Sequence, residues 1–192
     1  MKQDLGAHAF AFPTPVYIVG SYGKDGKPNA MNVAWGGICG SEPPCVAISI
    51  RKSRRSYDNI TEKGAFTVNI PSKAHIKEAD YFGIASGHKV DKFAATGLTA
   101  VKSPHVDAPY IEEFPLCLAC KVIHTMELGQ HVQFVGEIVS VMADASCLTA
   151  GGLPDIEKLA PLLFDPAKSA YNATGEYLGK AFSVGKEFLN KG

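Results

Sequence analysis

The sequence lacks any apolar segment as long as the roughly 20 uncharged residues that a membrane-spanning helix requires. It also lacks an excess of charge, because 19 Lys and Arg residues are balanced by 19 Asp and Glu residues. Without a net charge, no overall field favours nucleic acid or an anionic membrane. We therefore expect a soluble protein that has neither of these two partners.

The first 15 residues, MKQDLGAHAFAFPTP, contain no uninterrupted apolar core of the kind found in a secretory signal. Cysteine is scarce and odd in number, which favours reduced thiols over a disulfide framework. Both observations predict a cytoplasmic protein. The chain also lacks internal repeats and low-complexity linkers, and 192 residues fit one domain, so we expect a single domain over residues 1–192.

Short strand patterns dominate the first half of the chain. Residues 15–21 and 29–35 flank an Asp-Gly turn signal and predict a hairpin. Residues 45–50 and 65–70 are rich in β-branched residues and predict two further strands. The two longest strand patterns, residues 115–128 and 130–143, are joined through Gly129.

Helix signals are fewer. Ser53 is a candidate N-cap for a helix that runs to about Lys63 and ends at Gly64. Residues 72–85 are the best helix candidate, with apolar residues recurring at spacings of three from Ile76. After Met142 the chain predicts a loose arm that ends in a helix near residues 179–189. The whole pattern favours a mainly antiparallel, barrel-like α+β fold with a few peripheral helices.

The stretch SIRKSRRSYDNI, residues 49–60, concentrates positive charge at the predicted start of a helix, where cations oppose the helix dipole. A phosphate placed there would accept hydrogen bonds from helix amides, from the hydroxyls of Ser53 and Ser56, and from the cations. A solvated basic surface is the alternative interpretation. The cations are Arg51, Lys52, Arg54 and Arg55.

Small and amide side chains replace the expected apolar alternation in the strand NAMNVAW. Alternation places Asn29, Met31 and Val33 on one face, and Ala30, Asn32 and Ala34 on the other. Such groups suit a flat heterocycle with polar edges, and the single Trp35 can cover an aromatic face. The alternative is an ordinary strand end with Trp35 in the core.

Two other patterns point to different chemistry. Cys117 and Cys120 with His124 suggest a redox pair or a zinc site, but on a strand residues 117 and 120 point to opposite faces and a second C-x-x-C is missing. Structural thiols are the favoured interpretation, and we expect no metal site. The chain has no G-x-S-x-G nucleophile motif and no G-x-G-x-x-G dinucleotide motif.

Taken in order, these segments resemble the flavin reductase-like proteins, which have an FMN-binding split β-barrel. The resemblance rests on PTPVYIV, NAMNVAW, PPCVAISIRKSRRSYDNI, GAFTVNIP, SGHKVDKF and the paired strands CKVIHTMELGQHVQFVGEIV. It covers a core of about residues 10–142, with a closing arm at 143–192. Within the family the chain is most similar to the flavoredoxin group of FMN electron carriers.

The resemblance implies that FMN is the cofactor and that its phosphate meets the cationic stretch. Residues 29–35 would border the ring and ribityl chain, residues 49–56 would lead to the phosphate, and Lys92 would add a positive group. The cofactor-binding residues implied in this way are Asn29, Ala30, Met31, Asn32, Trp35, Ser49, Ile50, Arg51, Lys52, Ser53, Ser56 and Lys92.

The resemblance also implies a function. It favours an electron-transfer flavoprotein that shuttles electrons between redox proteins, in sulfite or thiosulfate reduction within this group. The alternatives are an NAD(P)H-dependent flavin or metal-complex reductase, with His131 facing the nicotinamide, and a cofactor-free binding module. His131 has the further reading of an exposed turn residue. A homodimer is implied too, in which Tyr171 and Tyr177 cover the neighbouring subunit's flavin.

Overall fold

The computed structural model describes residues 1–189 of the chain. The strands in this range are β1 (Thr14–Pro15), β2 (Tyr17–Tyr22), β3 (Pro28–Val33), β4 (Gly36–Ser41), β5 (Pro44–Arg51), β6 (Ala65–Ile70), β7 (Ala100–Lys102), β8 (Pro109–Ile111), β9 (Leu116–Leu128), β10 (His131–Ala143), β11 (Leu162–Asp165) and β12 (Ala170–Ala173). The helices are α1 (Arg55–Lys63), α2 (Ile76–Ile84), α3 (Lys92–Thr96) and α4 (Ile156–Leu159), with 3-10 turns at Lys73–His75, Ala145–Cys147 and Val184–Phe188.

A seven-stranded antiparallel sheet forms the centre of the fold, in the order β3-β2-β6-β9-β10-β5-β4. The predicted hairpin of residues 15–35 is present as β2 and β3, and the two longest strand patterns pair as β9 and β10. The expected mainly antiparallel α+β fold is therefore confirmed. Strand β3 lies at one end of this order, so one of its edges has no neighbouring strand within the sheet.

Both faces of the sheet are buried near β2. Val19 packs into one apolar cluster with Ile48, Phe66 and Phe134, while the adjacent Ile18 packs into a second cluster. That second cluster includes Phe82 of α2 and residues from β3, α3 and β11. Because successive strand residues face opposite sides, one strand contributes to both clusters. Helix α2 is thereby held against the face of β3 on which Ala30 lies.

The predicted capping role of Ser53 is wrong. Helix α1 begins at Arg55, its N-cap residue is Arg54 in an extended conformation, and no side chain caps it. The chain first makes a tight turn after β5, in which the Arg54 amide donates to the Arg51 carbonyl at 3.0 Å, and this turn delays the helix. The predicted end at Gly64 is correct, since its φ of 61° is the left-handed conformation that glycine adopts easily.

The predicted continuous helix over residues 72–85 is also wrong at its start. Residues Lys73–His75 form a 3-10 turn, and α2 begins only at Ile76. Ile76 therefore lies at the first turn and is exposed, whereas Ala79 and Phe82 are buried as the spacing predicts. In this turn the His75 amide donates to the Ser72 carbonyl at 3.0 Å, which is the tighter hydrogen-bond pattern of a 3-10 helix rather than that of an α-helix.

The segment after Met142 is more ordered than the predicted loose arm. It contains α4, β11 and β12, and β11 pairs with both β12 and β1 in a small second sheet. The predicted terminal helix is only the 3-10 turn Val184–Phe188. No helix within residues 1–189 is long and apolar enough to span a membrane.

Candidate functional site

A groove runs along the free edge of β3, between the turn that joins β5 to α1 and the segment that follows α2. We call its two halves the cationic end and the aromatic end. The cationic end is lined by Asn29, Met31, Arg51, Ser53, Arg54, Arg55, Ser56, Phe82, Gly83, Ala85, Ser86, Gly87 and Lys92. The aromatic end is lined by Met31, Asn32, Val33, Ala34, Trp35, Ser49, Ile50, Arg51, Arg54 and His131. Met31, Arg51 and Arg54 line both ends, so the two ends are direct neighbours.

The aromatic end is shaped by a contact between the chain after β3 and strand β5. The Ser49 amide donates a hydrogen bond of 2.8 Å to the carbonyl oxygen of Trp35. This bond fixes the backbone at Trp35, whose side chain is 39% exposed at the groove. The alternative reading of Trp35 as a core residue is therefore wrong.

His131 lies at the start of β10, directly opposite Arg51 in the ladder with β5. It is partly buried and lines the aromatic end together with Trp35. The reading of His131 as a fully exposed turn residue does not hold, because the residue is inside the strand pairing rather than in the turn at Gly129.

Two cations of the basic stretch reach the middle of the groove. Within residues 1–189, the guanidinium groups of Arg51 and Arg54 have neither a hydrogen bond nor an ion pair, and both residues line the two ends of the groove. They stand beside the N-terminus of α1, where the helix dipole is positive. This concentration of positive charge, which has no counterion among the described residues, can hold an anionic group.

The other two cations have protein partners. The Lys52 ammonium pairs with the Glu127 carboxylate at 2.7 Å, and Lys52 does not line the groove. Arg55 lines the cationic end, but its guanidinium donates to the Gly87 carbonyl at 2.9 Å and lies 3.5 Å from the Asp25 carboxylate. Arg55 thus ties the segment after α2 to α1, and that segment forms one wall of the groove.

Buried polar groups line the floor of the cationic end. The Asn29 amide donates a hydrogen bond of 2.8 Å to the hydroxyl of Ser56, which leaves the hydroxyl proton of Ser56 free to be donated. The predicted site residue Ala30 is fully buried and does not line the groove, but its carbonyl oxygen accepts from the Lys92 ammonium at 2.8 Å. The structure therefore gives Ala30 an indirect role, as a support for Lys92.

Lys92 is 5% exposed and is held at the first turn of α3. Its ammonium donates to the carbonyl oxygens of Ala30 and Phe82, and these two bonds direct it toward the cationic end. Burial, with a smaller contribution from the nearby charge of Arg54, lowers the pKa of Lys92 to about 8. Lys92 is still mainly protonated at neutral pH and adds to the positive charge of the groove.

The two tyrosines of the closing arm differ. The Tyr171 hydroxyl lies against Asn32 of the same chain, at 3.3 Å from the Asn32 amide nitrogen. Tyr177 is 74% exposed. The structure therefore places Tyr171 beside a groove residue of its own chain, and the expectation that either tyrosine reaches a neighbouring subunit stays a prediction.

The cysteines of the C-x-x-C pattern are buried thiols in the structure. All five cysteines are free, and Cys117 and Cys120 are buried in the sheet. Burial raises the pKa of Cys117 to about 12 and moves that of Cys120 higher still. Within residues 1–189, no group of three or more His, Cys, Asp or Glu side chains is arranged to hold a metal ion.

Sequence reasoning did not assign the wall formed by Ala85, Ser86 and Gly87. Ser86 and Gly87 begin the SGHKVDKF segment that contributes to the family resemblance, but the resemblance gave a site role only to Lys92 within it. The place of Gly87 in the groove depends on its bond to Arg55, which lies 32 residues away. The glycine at position 87 is itself a sequence feature that indicates close packing at the groove, because a Cβ there would collide with the side-chain oxygen of Asn29. Only glycine permits so close an approach of the backbone.

Comparisons with known proteins find relatives in sequence and in fold. The sequence matches a family model described as "Flavin reductase like domain" over residues 9–170. A structure of flavoredoxin from Desulfovibrio vulgaris (Miyazaki F) is 53% identical, with a TM-score of 0.93, over 96% of this chain and 100% of that one. A flavoredoxin from Methanosarcina acetivorans is 33% identical, with a TM-score of 0.91, over 98% and 99%. An uncharacterized protein from Archaeoglobus fulgidus is 34% identical over 69% of this chain and 73% of its own length.

Proposed function

Because this chain belongs to the flavin reductase-like family of split-barrel proteins, we propose that it binds FMN in the groove and carries electrons between redox proteins. The single observation that carries this proposal is the pair Arg51 and Arg54. Their side chains have no counterion among residues 1–189, and both line the cationic end and the aromatic end. FMN has matching parts, since a phosphate dianion and a flat aromatic ring are joined by a short polar chain.

The residues of the cationic end fit the phosphate. Arg51 and Arg54 supply planar donors, and Ser56 supplies a hydroxyl proton. The amides of Arg55 and Ser56 at the start of α1 have no acceptor within the helix, whereas that of Tyr57 already donates to the Arg54 carbonyl at 2.9 Å. Hydrogen bonds between charged partners are about twice as strong as neutral ones. We therefore assign the phosphate to the cationic end.

The residues of the aromatic end fit the ring. Trp35 offers a partly exposed aromatic side chain, and Ser49 and Ile50 of β5 line the same opening. When bound, the isoalloxazine supplies one- and two-electron chemistry, and the protein contributes binding, orientation and access. Because the aromatic end is open to solvent at Trp35, a partner protein can approach the ring edge closely enough for electron transfer.

Flavin binding and electron transfer lead to a direct test. The purified protein is supplied with FMN, freed of excess flavin by gel filtration, and its visible spectrum is recorded before and after anaerobic addition of NADH, NADPH and then dithionite. We expect a two-banded yellow spectrum that persists with either nicotinamide and bleaches with dithionite. A colourless protein that does not retain FMN would instead favour a cofactor-free binding module.

An NAD(P)H-dependent flavin or metal-complex reductase is the second candidate. The observation in its favour is the partly buried His131 beside Trp35, at the end of the groove where a nicotinamide would have to stack. Rapid bleaching by NADH or NADPH in the same experiment would establish this activity and overturn a pure carrier role. His131→Ala should then slow reduction by the nicotinamide without changing reduction by dithionite.

We further propose that the protein is a homodimer. The support for this is the concentration of large apolar side chains on the surface of the C-terminal arm, where Leu178, Phe182 and Leu189 are mostly exposed. Light scattering coupled to size exclusion gives the mass directly. A mass near the 20.4 kDa of one chain at micromolar concentration would contradict the proposal.

A further inference from the structure

The side-chain amide of Asn32 has a fixed orientation. Its nitrogen donates to the carbonyl oxygen of Ala79 on α2 at 3.0 Å and to the hydroxyl oxygen of Tyr171 on β12 at 3.3 Å. A backbone carbonyl can only accept a hydrogen bond, so the nitrogen rather than the oxygen must face Ala79. Both amide protons are therefore used by the fold.

Tyr171 reinforces this orientation. Its hydroxyl donates to the Asp80 carboxylate at 3.0 Å, and a carboxylate can only accept. The phenol proton is committed to Asp80, so the phenol oxygen is left to accept from Asn32. Burial and the bond to Asp80 raise the pKa of Tyr171 to about 12, which keeps this proton in place. The chain of bonds runs in one direction, from Asn32 through Tyr171 to Asp80.

The remaining polar atom of the amide is the acceptor. In the part of the chain that the structure describes, Asn32 Oδ1 has no hydrogen-bond partner. The atom is not buried, so a ligand or solvent can reach it. Asn32 lines the aromatic end of the groove, next to Trp35. Oδ1 is thus the one acceptor that the Asn32 side chain has left to offer to a ring at that end.

We propose that Asn32 Oδ1 accepts a hydrogen bond from the N3–H group of the flavin ring, and that Tyr171 and Asp80 are positioning residues that hold the amide in this orientation. The inference rests on the proposed function. Its chemical basis is that the oxidised isoalloxazine has only one N–H group, at N3. A fixed acceptor at the aromatic end therefore favours the orientation in which the N3 edge of the ring faces Asn32.

The test is the ratio of two dissociation constants, one for FMN and one for FMN methylated at N3, which has lost the donor. The native protein should bind FMN up to about tenfold more tightly than the methylated form, because the loss of one hydrogen bond costs roughly 0.5–1.5 kcal/mol of binding free energy. In Asn32→Leu this ratio should fall close to one. In Tyr171→Phe it should fall by about threefold or more, although this change adds no volume to the groove.

Two controls separate positioning from general stability. Tyr110 is a second tyrosine whose pKa is raised by a carboxylate, that of Glu112, together with burial, but it lies on β8 and lines neither end of the groove. Tyr110→Phe should leave the ratio unchanged. Asp80→Asn keeps an acceptor for the Tyr171 hydroxyl and should retain the native ratio, whereas Asp80→Ala should lower it as Tyr171→Phe does. The Asp80 pair decides the matter if Tyr171→Phe does not fold.

The outcomes distinguish this inference from the proposed function. A native protein that binds FMN but shows no preference over the methylated form would overturn the inference alone. The same holds if the preference is native in Asn32→Leu, or if Asp80→Asn and Asp80→Ala behave alike. A native protein that binds neither flavin would overturn the proposed function and the inference with it.

Discussion

The ammonium group of Lys92 donates a hydrogen bond of 2.8 Å to the carbonyl oxygen of Ala30, across 62 residues of sequence. This bond joins α3 to the edge strand β3 and places a buried cation at the cationic end of the groove. It has a consequence for stability, because burial disfavours the charged form of a lysine.

The stability of the flavin-free protein should depend on pH through Lys92. Its pKa is lowered from 10.5 to about 8 in the folded chain, so between these values the unfolded chain binds more protons than the folded one. The free energy of unfolding contributed by Lys92 is therefore lowest below pH 8 and rises as pH rises toward 10.5. Relative to Lys92→Met, the native protein should gain on the order of 1–2 kcal/mol between pH 7 and pH 9.5.

Urea unfolding of both proteins at several pH values measures this difference. Taking the difference cancels the titration of the buried tyrosines and cysteines, which both proteins share. A difference that stays flat over this range would show that Lys92 has an ordinary pKa in the folded protein.

Loss of Arg51 and Arg54 should weaken FMN binding far more than riboflavin binding, because riboflavin lacks the phosphate. Charged hydrogen bonds contribute roughly 1.5–3 kcal/mol each, so Arg51→Ala combined with Arg54→Ala should weaken FMN binding by about two orders of magnitude or more. Lys52→Ala is the matched control, since it also removes a cation of the same stretch but one that is paired with Glu127. Calorimetric titration with both flavins gives the affinities, and equal losses for FMN and riboflavin would contradict the assignment of the phosphate.

Removal of Trp35 should change the emission of the bound flavin. An indole in contact with the ring quenches flavin fluorescence, so Trp35→Ala should raise the emission. The same change should weaken the binding of riboflavin and of FMN by a similar factor of about 2 to 10. Trp35→Phe, which keeps an aromatic face, should lose less affinity. Unchanged emission in Trp35→Ala would mean that the ring lies away from the aromatic end.

A methyl group at Gly136 should destabilise the sheet. A Cβ at this position on β10 would lie 2.6 Å from the ring of Phe66 and 2.9 Å from the Cβ of Cys120, both of which are fully buried. Overpacking of a filled core costs roughly 1–3 kcal/mol, so Gly136→Ala should lower the free energy of unfolding by about that amount. Gly37→Ala, on the edge strand β4 with no atom within 4 Å of the new group, should change it far less. Thermal unfolding compares the two variants, and equal effects would argue against close packing at Gly136.

Much of the fold follows from local patterns. The Asp-Gly turn between β2 and β3, the alternation in β9 and β10, and Gly64 after α1 are each decided by neighbouring residues, and each prediction is confirmed. The errors fall where local patterns compete. Ser53 has the chemistry of a cap, but the turn after β5 takes up its position, and the arm after Met142 becomes ordered by pairing with β1.

The groove shows the same division. The run of cations and the strand of amide and small residues are both visible in the sequence. In the structure, residues from both stretches line the groove. Which cation faces the groove is not visible there, because Lys52 is drawn to Glu127, 75 residues away, while Arg54 remains free of such a partner within the described residues.

The sequence by itself determined the antiparallel strands, the hairpins and the presence of a cationic stretch beside an aromatic one, because these features depend on the order of neighbouring residues. Only the tertiary structure decided which side chains meet. The bond from Lys92 to Ala30 and the chain of bonds from Asn32 through Tyr171 to Asp80 join residues that are distant in sequence. Their geometry depends on how the sheet, α2 and the closing arm pack. Packing brings buried polar groups to hydrogen-bond partners that no local sequence pattern can identify.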